Sequence, residues 1–331
     1  MIADWAETLR SASGLWPWAA LAFGLVVGSF ANVCVHRVPL RQSVVTPPSR
    51  CPDCGARIAP WDNVPVVSYL LLRGRCRSCR ARISPRYPAV EAANGALYLA
   101  VAAGFGPSLR ALVVMAFVTA LLVLALIDLD HHLLPDAITL PGIALGLAAA
   151  VDAPWAPRGA LALLGGFQAL LLVGMLAGWD PRSGVPEESD DAARVGRRID
   201  WRLAGMLLAF AAWQRAALGA WSEPALAALA GYLVMALVAV AAAGYYRQEA
   251  LGQGDWKLAA MLGACLGLRG LLVAVFLGSL AGALVGGALW ASGRASGRSA
   301  LPLGTFLCAG GVAAALAGTR LLEWYGGLFG G

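Results

Sequence analysis

The chain has 331 residues, 59% of them hydrophobic and only 13% charged, with a formal net charge of +6 at pH 7. A soluble domain needs far more charge on its surface, so these figures exclude one and indicate a polytopic membrane protein. The surplus positive charge gathers in loops, where it reports orientation in a bilayer and gives no ground for a nucleic-acid partner.

Taken in chain order, apolar runs predict spans at 15–35, 88–106, 109–129, 137–152, 159–178, 203–220, 224–246, 255–268, 270–291 and 303–321. About 20 apolar residues cover the hydrocarbon core; the runs at 137–152 and 255–268 are short, and 203–220 carries Gln214 and Arg215. The expected fold is an all-α polytopic bundle of about 8–10 transmembrane helices with a small zinc-binding cytoplasmic loop domain. The first run lacks a basic n-region and a small-residue cleavage site, which predicts a retained span. The organisation expected is therefore a first helix in 1–35, a loop in 36–87 and a membrane core in 88–331. Residues 36–87 hold ten arginines against only Asp53 and Asp62, which predicts a cytoplasmic loop. Counting spans from there puts 130–136, 179–202, 247–254 and 292–302 on the same side and both termini outside. The 179–202 segment mixes both signs of charge and is expected to be a solvated connector. No internal repeat is apparent.

Within the first loop, Cys51-Pro-Asp-Cys54 and Cys76-Arg-Ser-Cys79 form two Cys-x-x-Cys pairs. Each tight turn presents two sulfurs to one point, and two turns supply the four thiolates of a tetrahedral zinc site. Cytoplasmic disulfides are uncommon, and a short loop rich in proline and arginine has little apolar material for a core, so a metal staple is physically sensible. With all four ligands protein-derived the metal would be structural. The single cysteines Cys34, Cys265 and Cys308 lie in apolar runs, as packing residues do.

A second group of polar residues sits in "ALIDLDHHLLPDAITLPG", residues 125–142. Asp136 follows Pro135 where a helix would start and suits an N-terminal capping role. Asp130, His131 and His132 fit an exposed turn. Asp128 fits less well, because it falls inside the apolar run, where a carboxylate is costly unless paired or hydrated. Further on, "GQGDWKLAAMLGACLG" opens an apolar run with Asp255 and with Lys257, the only lysine in the chain. Span counting puts Asp255 at the same membrane edge as Asp128. Two carboxylates at one depth can share a proton, one acting as base toward water and the other as acid. From the residues alone, an aspartyl pair, an ion pathway and a structural role remain open. Lys257 could snorkel, orient a loop or contact lipid phosphate.

The ordered set "GSFANVCVHRVP", "PPSRCPDC", "NVPVVSYLLLRGRCRSCRARISPRYPAVE", "DLDHHLLPDAITLPG", "GYL", "GQGDWKLAAMLGACLG" and "LPLGTFLCAGG" resembles the type IV prepilin peptidases, bacterial inner-membrane aspartyl proteases that also N-methylate their product. The resemblance covers most of the chain. It implies that Asp128 and Asp255 are the catalytic aspartates and that Cys51, Cys54, Cys76 and Cys79 are the zinc ligands. It implies type IV prepilins or type II secretion pseudopilins as protein substrates, met where a basic leader joins an apolar helix at the cytoplasmic face of the lipid bilayer. It also implies S-adenosylmethionine as methyl donor, for which the sequence shows no glycine-rich fingerprint. The resemblance locates methyl transfer in the first loop and its flanks, where Asn63, Pro65, Tyr69, Gly74, Arg80, Tyr87 and Glu91 match the family pattern. Each has a plainer reading as turn, aromatic packing or helix-start charge.

Two departures stand out. Ala250 and Leu251 precede Gly252 where the family has Gly-Met, and an insertion at about 154–220 separates the Asp128 hairpin from the "GYL" helix. Which aspartate is base and which acid does not follow from sequence, since such a pair titrates as one unit. A proton or cation transporter would need polar residues at the helix centres, which are apolar here. A non-enzymatic pilus assembly factor would not need two acids at matched depth.

Overall fold

The computed structural model describes residues 14–149, 201–218, 223–246, 252–293 and 301–329. The expected span 159–178 and most of the insertion lie outside the described residues, as do Ala250 and Leu251. Among the described residues the regular structure is helical: α1 (Trp16–Arg37), α2 (Val67–Leu71), α3 (Arg86–Phe105), α4 (Leu109–His131), α5 (Asp136–Ala149), α6 (Trp201–Leu218), α7 (Glu223–Tyr246), α8 (Gln253–Ala291) and α9 (Leu303–Phe329). Five of these, α1, α4, α7, α8 and α9, contain stretches long and apolar enough to cross a membrane. The all-α, multi-pass architecture expected from composition is therefore the one observed. Helix α3 has the length of a span but carries Arg86, Glu91 and Asn94, and α5 has only 14 residues. The chain divides into two compact units, residues 1–123 and 124–331.

In the first unit α1 and α3 pack closely enough that a β-carbon at Gly28 would stand 2.8 Å from the Cα of Glu91. Between them, buried Asn94 donates to the Gly24 carbonyl at 2.7 Å and accepts from the Thr119 hydroxyl of α4 at 2.8 Å. Such polar links satisfy groups that have no water to turn to between apolar helices.

In the second unit the long helix α8 is not straight. Gly267 adopts φ 68° and ψ −179°, a region open essentially to glycine. A β-carbon at Gly231 of α7 would lie 2.7 Å from the Ala259 carbonyl oxygen and 3.1 Å from Leu271 Cδ2. Twelve residues of straight helix would hold Ala259 and Leu271 about 18 Å apart, so the chain folds back at Gly267. The expected division into runs 255–268 and 270–291 corresponds to these two arms. The first arm runs antiparallel to α7, with Gly267 against Glu223, Gly263 against Ala227 and Ala259 against Gly231. The same register sets Asp255 level with Met235, about 10 Å along the axis from Ala242, where the apolar stretch of α7 ends.

Because a side chain at 267 is strained whatever the space around it, Gly267→Ala should destabilise the fold by about 1–3 kcal/mol. Thermal unfolding of the detergent-solubilised protein, followed by tryptophan fluorescence, should show a lowered midpoint; an unchanged midpoint would contradict the reversal.

Candidate active site and metal centre

Three helix N-termini converge around the buried side chain of Leu134 in the second unit. Asp136 opens α5, Gly252 precedes α8, and Leu303 opens α9. A β-carbon at Gly254 would stand 2.8 Å from Leu134 Cβ, and one at Gly304 would stand 2.8 Å from Leu134 Cδ1 and 3.0 Å from Asp128 Oδ2. Glycine is required at both places by proximity, since any side chain would push the termini apart. The last turn of α4 completes the cluster with Asp128.

Each terminus is matched to a carboxylate. The free amides and partial positive charge of a helix start make this favourable where water is scarce. Thr305, in the first turn of α9, donates its N–H to Asp128 Oδ2 at 2.6 Å. Its hydroxyl lies 2.9 Å from the same oxygen and 3.0 Å from the Ala125 carbonyl, giving one proton two acceptors. Asp255 stands in the first turn of α8, near its own N-terminal Gly252 and within electrostatic reach of Asp128. Asp136 begins α5, and both of its oxygens accept from Lys257 Nζ, at 2.8 and 2.6 Å. Lys257 is 7% and Asp136 2% exposed, so this ion pair is closed off from solvent.

The structure places Asp128 and Asp255 within electrostatic reach of each other at this cluster. It also assigns the lone lysine a partner that sequence reasoning missed: Lys257 bridges α8 to α5, while Asp130, His131 and His132 are exposed. A single buried cation and a buried anion 121 residues away carry no local pattern that would have linked them. Thr305 was likewise missed, although it lies within "LPLGTFLCAGG". Of the single cysteines, Cys308 is buried and Cys34 and Cys265 are half-buried, in keeping with packing roles.

In the first unit the sulfurs of Cys51, Cys54, Cys76 and Cys79 lie within 4.8 Å of one another, placed to hold a metal ion. Cys51 and Cys79 Sγ are 3.8 Å apart. The two turns are structural copies. Cys51 N–H donates to Ala56 O and Cys76 N–H to Ala81 O, both at 2.9 Å. Gly55 and Arg80, at equivalent places, both have positive φ, 69° and 63°. The sequence carries the same copy: Arg50-Cys-Pro-Asp-Cys-Gly-Ala-Arg-Ile58 repeats as Arg75-Cys-Arg-Ser-Cys-Arg-Ala-Arg-Ile83. An internal repeat is therefore present, contrary to expectation, and a comparison at an offset of 25 residues finds it. The backbone N–H groups of Cys79 and Ser78 turn toward the Cys76 sulfur and bring that thiol down to about 7. At Cys79 the Ala81 N–H is outweighed by burial and the neighbouring thiols, which push that thiol up to about 12. Cys76 is therefore the sulfur predisposed to the thiolate form that binds metals.

Breaking one member of a buried ion pair leaves an uncompensated charge and costs about 3–5 kcal/mol. Lys257→Met and Asp136→Leu should each lower the unfolding midpoint sharply, while the double substitution should recover much of the loss. Additive losses in that double-mutant cycle would show the two groups to be uncoupled.

The chain is similar to known proteins over most of its length. The pattern described as "Bacterial Peptidase A24 N-terminal domain" matches residues 22–105, and "Type IV leader peptidase family" matches 115–184 and 194–287. A Burkholderia pseudomallei protein is 33% identical over 93% of this chain and 87% of its own length. A Pseudomonas putida protein is 33% identical over 91% of each chain, and one from Pseudomonas aeruginosa 32% identical over 92% of this chain and 91% of its own. All three carry the name prepilin leader peptidase/N-methyltransferase. No solved structure matches the chain. With the two patterns spanning both units and both groups of predicted site residues, the chain belongs to the type IV leader peptidase family.

Proposed function

We propose that this membrane enzyme removes the short basic leader of type IV prepilins, or of type II secretion pseudopilins, with Asp128 and Asp255 as the catalytic pair. The observation that carries the reading is two buried carboxylates, from different helices and within electrostatic reach, at a cluster of three helix N-termini. A donated N–H and a hydroxyl on one oxygen suit an ionised carboxylate, so Asp128 is assigned the base and Asp255 the acid. Asp128 takes a proton from water as its oxygen attacks the scissile carbonyl, and Asp255 supplies a proton as the C–N bond breaks and the amine leaves. Lys257 and Asp136 hold α8 and α5 in register so that Asp255 meets its partner. The reaction is assigned to the cytoplasmic side of the inner membrane, a reading supported by the arginine-rich 36–87 loop through the positive-inside rule and by family membership.

The metal at the four cysteines is taken to be zinc, acting as a structural staple. A tetrahedral set of sulfurs about 2.3 Å from zinc has edges near 3.8 Å, which suits the Cys51–Cys79 spacing. The second activity, N-methylation of the new amino terminus, follows from family membership and the relatives' names, with S-adenosylmethionine supplying the methyl group. Of the loop residues that match the family, Glu91 accepts from Val66 N–H and Tyr69 lies against Gly74, so both already have structural work and no step is assigned to them.

Prepilin processing in membranes tests the pair: Asp128→Asn and Asp255→Asn should each abolish cleavage, and cleavage by either variant would refute the mechanism. Removing the hydroxyl with Thr305→Val should lower kcat by about tenfold, the worth of one hydrogen bond to a charged group, with KM little changed and Thr305→Ser restoring the rate. For the metal, elemental analysis of the double Cys76→Ser, Cys79→Ser variant should show loss of zinc; a full equivalent retained would disprove the four-sulfur site.

A further inference from the structure

The segment between the two cysteine turns has an apolar side facing outward. Trp61, Val64, Val67, Leu70 and Leu71 are 69%, 45%, 49%, 67% and 78% exposed. They belong to one small folded piece: a 3-10 turn at Pro60–Asn63 followed by α2. Ser68 ties the two together, its hydroxyl donating to Trp61 O at 2.8 Å and accepting from Val64 N–H at 3.1 Å.

The depth of this piece is set by Glu91. Val66 donates its N–H to Glu91 Oε2 at 2.7 Å. It does so from φ 60° and ψ −49°, a conformation rare for a β-branched residue that persists only where surroundings enforce it. Glu91 is buried and packs against Gly28 of α1. Gly28 lies nine residues before Arg37, the end of that span, or about 13 Å further along the helix axis. A loop confined to water would stay beyond Arg37. This one returns to α3 at Glu91, a level well inside a hydrocarbon layer of about 30 Å.

Its backbone is prepared for that environment. Beyond the bonds of Val64 and Val66, the N–H groups of Val67, Ser68, Leu70 and Leu72 all donate to carbonyls of residues 64–68. Internal satisfaction of this kind is what hydrocarbon demands and water does not. Beyond the piece come Arg73, Arg75, Arg80 and Arg82, all exposed, placed to meet phosphates with long side chains.

We propose that residues 61–72 are an interfacial anchor, tethered to α3, that seats Trp61, Leu70 and Leu71 in an anionic phospholipid leaflet, with the following arginines on lipid phosphates. Apolar burial and basic charge together are the combination that holds such segments at a membrane surface. The anchor fixes the metal-binding turns against the bilayer. It rests on the membrane-spanning character of α1 and not on the peptidase reading.

The test uses the full-length protein in nanodiscs of equal parts phosphatidylglycerol and phosphatidylcholine. Single photo-crosslinking residues (benzoylphenylalanine) replace Leu70 or Leu71, with Val26 of α1 as the lipid-facing positive control and Arg57 of the first cysteine turn as the negative one. Mass spectrometry after illumination should find phospholipid adducts at Leu70 and Leu71 at the yield of Val26 and at least fivefold above Arg57, with phosphatidylglycerol at least twofold over phosphatidylcholine. Yields at the Arg57 level would overturn the anchor, as would adducts to protein, from a second copy or another part of the chain. Equal capture of the two lipids would overturn the role of the arginines. Adducts at Val26 in every sample establish that the protein is inserted, so a negative result counts.

Discussion

Carboxylates buried among apolar helices are the constraint around which the second unit is built. A charge in such surroundings costs several kcal/mol unless something offsets it. Here three helix starts supply free amides and partial positive charge at one place, and the only lysine of the chain supplies a full one. Asp136 faces Lys257, Asp128 receives the N–H of Thr305, and Asp255 sits in the first turn of α8. The same arrangement that makes the charges tolerable also holds them close together. Stability and the proposed chemistry therefore draw on one set of contacts, and the close approach permitted by Gly254 and Gly304 serves both.

The reversal at Gly267 follows from the same need. A single straight helix of 39 residues would be about 58 Å long, far more than a bilayer requires. Folding it into two arms gives a short first arm whose N-terminus, with Asp255, lies beside the middle of α7 instead of at its end. Asp255 is thereby placed inside the apolar layer, and the second arm returns to pack against α9, with Gly278 against Phe306.

The first unit solves a different problem. Its loop is too short and too basic to bury a core, so order comes from two copies of one cysteine turn around a shared metal position and from a tether to Glu91 of α3. The equivalence of Gly55 and Arg80 shows how the copies diverged: the same left-handed backbone is kept, at no steric cost in one and against the usual preference in the other.

Much of this was legible in the sequence, because it depends on local composition. Apolar runs marked the helices, Cys-x-x-Cys spacing marked the four sulfurs that lie close enough to hold a metal ion, and a carboxylate inside an apolar run marked Asp128. Even the duplicated turn was there to be read, as nine residues repeated at a fixed offset. The ordered motifs shared with the family also pointed to Asp128 and Asp255 as a pair. Tertiary structure alone decided which helix starts surround them, that Thr305 reaches Asp128 across 177 residues, that Lys257 answers Asp136, and how far inside the apolar layer Asp255 lies. The reason is physical: composition fixes the cost of burying a charge residue by residue, whereas the groups that offset that cost come from helix ends distant in the chain, and only packing brings them together.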